Sequence, residues 1–340
     1  MNLTDAKYRE FGLVRDMLAT PRVVASFDVE QTRDVAAHVA QVGRLFMTGE
    51  GSSRIFPAKH AIWNARRQGL NLALHTEGGR QAQAYDLSDW AVFGLSNSGR
   101  TAEVIQLFRR LAEANHPHRY SLTAFEETTL ESLATKGFVL SCGKEGAVAA
   151  TKSVIEQALF YDSMFAHIAG TSPVGTQLPT LARKMEEALT MPIDPEITGR
   201  VAAAPMIYWA GRNTGVAEEL TLKTNEITRK SSDFLEGTYA VHGVEEVMSA
   251  DDVVIWIDPF EDQEAKFQEV LVDGVGLTVI ALASHPTRFP TIQLPGSDDG
   301  AGYIRMAGGW NLLVETGIRL GIDLDKPERA RKVGNEFSGP

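Results

Sequence analysis

The 340-residue chain is poor in cysteine: Cys142 is its one thiol, which excludes an internal disulfide and any multi-cysteine metal site. A lone thiol in a strand-like run reads as a small buried hydrophobe rather than a nucleophile. Long apolar runs are missing too, since no stretch reaches the roughly 20 uninterrupted apolar residues of a membrane helix. The start, Met1-Asn2-Leu3-Thr4-Asp5-Ala6-Lys7, lacks a basic segment followed by an apolar core, so a cytoplasmic protein with no membrane partner is expected. Positive charge is in deficit: 33 Lys and Arg against 44 Asp and Glu leave −11, which argues against nucleic acid as a partner. The eight histidines are scattered, and His116-Pro117-His118 has no carboxylate or thiolate at ligand spacing, so no metal is expected. Gly49-Glu50-Gly51 lacks the further glycine of a dinucleotide fingerprint, which leaves no cofactor expected.

What is present is enough for two ordinary cores, with 44% hydrophobic and 23% charged residues. Two hydroxyl-rich turns stand out. Gly49-Glu50-Gly51-Ser52-Ser53 follows the apolar run Leu45–Met47, and Ser96-Asn97-Ser98-Gly99-Arg100-Thr101 follows Ala91–Leu95. Each leads into a helix, where hydroxyls and free backbone N–H groups at the positive end of the dipole solvate a phosphate. Serines often merely cap helices. Capping needs one hydroxyl per helix, however, and each turn holds more than one.

Apolar runs at Leu45–Met47, Leu70–Leu74, Ala91–Leu95, Tyr120–Ala124 and Gly137–Ser141 alternate with helical stretches at Ile55–Arg67, Thr101–Ala114 and Thr151–Ile168. The order recurs later, with runs at Met206–Ala210, Val253–Ile257, Leu277–Ala283 and Thr291–Leu294 and helices at Val216–Lys230, Gln263–Val272 and Ala301–Leu320. This alternation implies an α/β protein of two doubly wound parallel sheets in tandem, with ligands at the carboxyl ends of the strands. The segment Gly170-Thr171-Ser172-Pro173-Val174-Gly175 breaks the pattern, and a charged helix at Leu181–Thr190 leads to Pro192-Ile193-Asp194-Pro195. The boundary between the repeats is expected there.

Ser96-Asn97-Ser98-Gly99-Arg100-Thr101, the stretch Gly143-Lys144-Glu145-Gly146-Ala147-Val148-Ala149-Ala150-Thr151-Lys152 and Asp325-Lys326-Pro327 resemble the sugar isomerase (SIS) family. The closest pattern is the isomerase half of glucosamine-6-phosphate synthase and the SIS-type glucosamine-6-phosphate deaminases, over nearly the whole chain. The resemblance implies two flavodoxin-like SIS domains: an N-terminal helical arm at 1–30, a sugar-phosphate-binding domain at 31–170, a linker helix at 171–200, a domain with the catalytic helix and loop at 201–325, and a tail at 326–340 that contributes to the site.

By that resemblance, Ser52, Ser53, Ser96, Asn97, Ser98 and Thr101 hold the sugar phosphate, and Val148, Ala149 and Thr151 match a loop that closes over the sugar. Glu226 matches the general base that moves a proton between the first two sugar carbons, a task suited to a carboxylate whose pKa rises on desolvation. His242 matches the ring-opening histidine, contributed by the neighbouring subunit of a homodimer. Lys332 matches the C-terminal lysine that reaches the open-chain carbonyl, to form an imine or to polarise oxygen. Lys223 and Glu219 match a second lysine on the catalytic helix and an acid one turn earlier. Taken singly, Glu226 and His242 would be ordinary surface residues, and Lys332 part of a frayed tail.

The chain departs from the family in places. Asn2 stands where the synthase has its glutaminase cysteine, so no glutaminase activity is expected. The usual His-Gly-Pro is His242-Gly243-Val244, and a lysine common before the base is Asn225. Arg54 and Arg100 add charge beside the turns and suit either exposed helix starts or a different anion such as a sulfonate. The expected reaction is conversion of an amino-hexose 6-phosphate to a ketohexose 6-phosphate with release of ammonia. Deglycation of a C1-linked fructosamine phosphate, plain aldose–ketose isomerisation and non-catalytic sensing of sugar phosphates are the alternatives.

Overall fold

A computed structural model describes residues 1–171, 177–296 and 300–339. By its contacts the chain forms two units. The first-sheet unit comprises Arg22–Glu145, Ala150–Pro179 and Arg331–Pro340; the second-sheet unit comprises Met1–Pro21, Gly146–Ala149 and Thr180–Ala330. The N-terminal arm is thus divided at Pro21, and the helix expected as a linker belongs with the second sheet. Ser172–Gly175 of the expected break lie outside the described residues.

In the first-sheet unit, β1 (Arg44–Gly49), β2 (Ala73–Gly78), β3 (Ala91–Leu95), β4 (Arg119–Thr123) and β5 (Lys136–Val139) form a sheet in the order β2-β1-β3-β4-β5. Every neighbouring pair is parallel. The central strands β1, β3 and β4 are almost wholly buried, as expected for a sheet covered on both faces. The strand expected at Leu70–Leu74 begins instead at Ala73. The amide of Leu70 still bonds to the Ala65 carbonyl of the preceding helix, and Gly69 at φ +67° turns the chain before pairing starts.

Helices α3 (Arg33–Val42), α4 (Ile55–Arg67), α6 (Ala102–Glu113) and α8 (Lys152–Ala169) pack in the same unit, with the short α5 (Gly79–Ala82) and α7 (Thr129–Leu133) between strands. Residues 152–166 of α8 are buried on all faces, so it is a central helix and not an amphipathic surface one. Its polar groups are matched accordingly: Glu156 accepts from Ser141 N, Ser141 Oγ and Cys142 N at 2.7–2.8 Å. Cys142 itself lies in the turn after β5, not in a strand. Burial and then the nearby Glu156 and Glu145 push its thiol far up, so it stays a neutral buried hydrophobe.

The second-sheet unit begins with α1 (Ala6–Arg9) and α2 (Gly12–Ala25), within the helical arm expected over 1–30. Asp325 explains the second start, because its carboxylate accepts from Gly12 N at 2.7 Å and Leu13 N at 2.8 Å. The Asp325-Lys326-Pro327 motif therefore caps a helix more than 300 residues earlier in the chain. Helices α9 (Leu178–Thr190) and α10 (Pro195–Ala203) follow. The Asp194-Pro195 pair, read from the sequence as linker, is a helix start: Asp194 accepts from Glu196 N at 2.8 Å, and Pro195 occupies the first turn, where no N–H is needed.

The strands β6 (Met206–Gly211), β7 (Ser231–Glu236), β8 (Val253–Ile257), β9 (Thr278–Ala283) and β10 (Thr291–Gln293) pair in the order β10-β9-β8-β6-β7, all parallel. Read from β7, this is the topology of the first sheet. The edge strand β7 escaped the sequence reading because it has no apolar run and alternates exposed and half-buried residues. Helices α11 (Val216–Thr228) and α13 (Ala301–Arg319) cover the sheet. The stretch expected as a helix at Gln263–Val272 is α12 (Glu264–Phe267), which continues as π-helical turns over Gln268–Val275. Phe267 stacks on Trp256 at 3.6 Å between centroids and anchors that core. Truncating such a pair costs about 3–5 kcal/mol per residue.

Candidate functional site

Each unit gathers its own set of polar groups. In the first-sheet unit both hydroxyl-rich turns leave the carboxyl ends of adjacent strands, β1 and β3. Glycine permits the tight paths. A Cβ on Gly49 would sit 2.8 Å from the Ser53 carbonyl, and Gly99 adopts φ +64° with Thr128 packed where its Cβ would be. The hydroxyls do not cap the helices that follow. Arg54 and Thr101 are the N-cap residues of α4 and α6, and neither makes a side-chain cap bond. Ser96 Oγ instead pairs with Thr101 Oγ1 at 2.8 Å, and Ser98 Oγ accepts from Arg100 N at 3.2 Å. Ser52 and Ser96 are buried, whereas Ser53, Asn97 and Thr101 are half-buried.

The charges beside the turns have definite positions. Arg100 pairs with Glu336 at 2.7 Å on the surface. Glu50 accepts from Gly79 N at 2.7 Å, and its carboxyl is raised, by burial first and by the neighbouring Glu103; Arg54 and the backbone donors only partly oppose this. Arg54 is half-buried, and among the described residues its shielded Nε has no hydrogen-bond partner.

Behind the second turn stands Glu145, a residue the sequence reading quoted in a motif but gave no role. Its side chain is fully buried. Oε1 accepts from Thr151 N at 2.8 Å, Thr151 Oγ1 at 3.4 Å and Ser153 N at 3.3 Å. Oε2 accepts from Lys332 Nζ at 2.9 Å, Ser153 Oγ at 3.1 Å and Asn97 Nδ2 at 3.3 Å. Burial raises this carboxyl, but Lys332 and the amides of Thr151 and Ser153 outweigh it and hold it below the usual carboxylate range. The signal for Glu145 was its place six residues before Thr151, the N-cap of α8, which makes no side-chain cap of its own. Of the predicted loop, Ala149 is buried and Val148 half-buried; both count with the second-sheet unit, where Val148 N lies 3.4 Å from the Asp325 carbonyl.

In the second-sheet unit, α11 starts at Gly215 in the left-handed region and ends at Arg229, whose guanidinium accepts the role of C-terminal cap by donating to the Glu226 and Ile227 carbonyls. Glu219, Lys223 and Glu226 share one face. Lys223 Nζ bridges Glu219 Oε1 at 3.3 Å and Glu226 Oε2 at 2.6 Å. Glu219 and Lys223 have no exposed side-chain surface, whereas Glu226 keeps 24%. Burial would lower the Lys223 pKa, but Glu226 and then Glu219 outweigh it and raise it, so Lys223 is an ammonium and not a free amine. Glu219 accordingly faces Lys223 and not an open binding surface.

His242 lies apart from this group. It follows the 3₁₀ turn Tyr239–Val241 after β7, is exposed, and has Nε2 3.3 Å from Thr238 Oγ1. Among the described residues no hydrogen bond or ion pair joins it to Glu226. Tyr239 and Val247 beside it are 54% and 76% exposed. Among the described residues no cluster of metal-ligating side chains is found, and no helix is long and apolar enough to cross a membrane.

Comparison with known proteins bears on the whole arrangement. The SIS domain model matches residues 38–167. This part of the chain is an SIS domain. No curated protein matches the chain in sequence. Among solved structures, the SIS-containing chain is similar to the C-terminal domain of glucosamine-fructose-6-phosphate aminotransferase from Francisella tularensis, with TM-score 0.77 and 16% identity over 94% of this chain and 98% of that one. It is similar to tagatose-6-phosphate ketose/aldose isomerase from Escherichia coli, with TM-score 0.76 and 18% identity over 95% and 97%. Glucosamine-6-phosphate deaminase from Thermotoga maritima gives TM-score 0.72 and 18% identity over 95% and 99%. At these identities the likeness is one of fold, and it extends past the SIS match into the second sheet.

Proposed function

We propose that the chain is an aminosugar-phosphate isomerase and deaminase, which converts a glucosamine 6-phosphate-like substrate to a ketohexose 6-phosphate and ammonia. The observation that carries this reading is the α11 group. Two of its three charges are sealed from solvent, and Lys223 holds one oxygen of Glu226 at 2.6 Å while the rest of that carboxylate keeps access. Such a carboxylate is aimed and restrained, as a base working on carbon requires.

In this reading the hydroxyls and amides of Ser52, Ser53, Ser96, Asn97, Ser98 and Thr101 take the phosphate. His242 protonates and deprotonates the ring oxygens to open the sugar, since imidazole exchanges protons near neutrality. Glu226 removes the C2 proton and returns it at C1, which leaves an imine at C2. Water adds to that imine and ammonia departs. The exposed His242 loop, with Tyr239 and Val247 beside it, supports a homodimer in which the histidine serves the neighbouring subunit's site. The likeness in fold to a deaminase and to a ketose/aldose isomerase is compatible with one base serving both reactions.

The deciding experiment is a coupled assay for ammonia and fructose 6-phosphate from glucosamine 6-phosphate, beside E226Q and H242A. Turnover that both variants lose supports the reading. Fructose 6-phosphate binding without ammonia release from glucosamine 6-phosphate refutes the deaminase. Release of an amino acid from a fructosamine phosphate, or ketose formation from another aldose phosphate, would then replace it.

A further inference from the structure

We propose that Glu145 is a positioning residue that holds Lys332 as an ammonium beside the Ser96–Thr101 turn, so that Lys332 acts on the sugar as a charged hydrogen-bond donor and not as an imine-forming nucleophile. The inference rests on the reading above that the sugar phosphate binds at that turn.

The geometry is one-sided. All six atoms within hydrogen-bond distance of the Glu145 carboxylate are donors. Four of them, the Lys332 ammonium, the Asn97 amide and the backbone N–H groups of Thr151 and Ser153, can only donate, and the two hydroxyls are free to donate as well, a set that favours the anion. An anion with no exposed surface requires a counter-charge, and Lys332 at 2.9 Å supplies it. A neutral amine there would leave the carboxylate buried and uncompensated. Lysines that form imines are set up in the opposite way, desolvated without an anion or crowded by another cation.

The tail fixes where the ammonium sits. Ala102 N donates to the Asn335 carbonyl at 3.0 Å and Phe337 N to the Arg100 carbonyl at 2.9 Å, so the segment after Lys332 is hydrogen-bonded to the turn itself. Asn335 Nδ2 reaches Glu103 at 2.7 Å, and the Arg109 guanidinium covers the Phe337 ring at 4.3 Å. Glu145 also accepts from Asn97 within the turn. One buried carboxylate thus ties the turn, the start of α8 and the tail lysine together. The Lys332 side chain keeps 34% exposure, which leaves donors of its ammonium open to a ligand oxygen.

The test has two arms. Competitive acetylation of the ligand-free protein at a single pH compares the reactivity of Lys332, paired with Glu145, to that of the exposed Lys326. Lys332 should react more slowly than Lys326 in the wild type and faster in E145Q than in the wild type. A Lys332 as reactive as Lys326 in the wild type, or unchanged by E145Q, overturns the proposal, whatever the protein turns over. In the second arm, borohydride is added during turnover of glucosamine 6-phosphate and the peptides are weighed. No reduced sugar adduct on Lys332 is expected, with K332R within about 10-fold of wild-type kcat and K332A at least about 100-fold down, the usual cost of one lost charged donor. An adduct on Lys332, or K332R as inactive as K332A, overturns it. A wild type inactive on every sugar phosphate refutes the proposed function and leaves the acetylation result standing.

Discussion

The two sheets share one strand order, yet the turns at their carboxyl ends are built from opposite materials. After β1 and β3 the chain places serines, threonine, asparagine and glycine, with Glu50, Arg54 and Arg100 beside them. After β6 and β8 it places Arg212 and Asp258, and Asp258 holds Arg212 at 2.8 Å and Arg305, from α13, at 2.8 Å. In the second sheet the chain's own carboxylate neutralises the cations at the point where the strand order reverses, which is where such sheets take ligands. In the first the paired side chains at the turn are hydroxyls, Ser96 with Thr101 at 2.8 Å, and the proposed reading has them take an outside anion. The helices that follow β1 and β6 show the converse. Both α4 and α11 have 13 residues. At the fourth, eighth and eleventh positions α4 carries Ala58, Ile62 and Ala65, where α11 carries Glu219, Lys223 and Glu226. One repeat thus has the features of an anion site on a plain helix, and the other has a charged helix beside a self-filled turn.

The largest effect should follow from breaking the charged face. E226Q keeps size and a carbonyl oxygen for Lys223 but removes the base, so kcat should fall about 10²–10⁴-fold. Thermal stabilisation by fructose 6-phosphate should persist, because the proposed reading places that ligand's phosphate at the other sheet. Loss of that stabilisation would mean the two functions are not divided between the repeats. K223M strikes the same face from inside. It leaves Glu219 and Glu226 without their shared cation, and a broken buried pair costs about 3–5 kcal/mol, which urea denaturation would read. The matching change in α4, Ile62→Val, should cost only about 1 kcal/mol.

A pH titration of stability sharpens the contrast. The Glu145 carboxyl is held low in the folded state by Lys332 and the Thr151 and Ser153 amides, despite its burial. Its contribution is present in full above the unfolded value of about 4.3 and is lost as pH falls through the folded value. E145Q should therefore flatten the decline of stability below about pH 4. The Lys223 pKa is raised, so its contribution is present at and below neutrality and is lost only in strong base as pH rises through the folded value. Acid should thus loosen the Glu145 cluster while Lys223 stays charged.

Much of the fold is legible in the sequence itself. The bounds of α4 and β8 coincide with the sequence periodicity, because a 3.6-residue stripe and a continuous apolar run leave little choice. The strand β7 was not legible, since an edge strand in Ser231-Ser232-Asp233-Phe234-Leu235-Glu236 is defined by pairing with β6 and not by its own pattern. The helix start at Asp194-Pro195 was misread because Asp-Pro serves turns and helix N-termini alike. Among the site residues, Glu219, Lys223 and Glu226 came from the family resemblance, and the structure shows Lys223 bridging the other two on one face of α11. Of the Glu145 cluster only the local bonds to Thr151 and Ser153 left a trace in the spacing, because Asn97 and Lys332 join it through long-range hydrogen bonds.

A moderate effect is expected at the neutral turn. S96A removes the hydroxyl paired with Thr101 at 2.8 Å and one donor for an anion, so the Kd for fructose 6-phosphate should rise about 10-fold, the equivalent of one hydrogen bond to a charged group. Unchanged affinity would take Ser96 out of the phosphate site and leave its bond to Thr101 as a brace for the turn.

The smallest effect tests the self-filled turn. D258N removes the charge that holds Arg212 and Arg305 but keeps one side-chain oxygen for Arg305 and the residue's backbone carbonyl for Arg212, and the pair is partly exposed, so the loss of stability should be at most about 1 kcal/mol. Sugar-phosphate affinity at the first sheet should not change. The two arginines, still packed with Arg212 over the Phe260 ring at 4.0 Å, would then present uncompensated charge at a strand end. Inorganic phosphate should stabilise D258N more than wild type. Equal stabilisation of both would mean that the second turn lacks the shape to take an anion even when its own is removed, and that the two repeats differ in backbone as well as in charge.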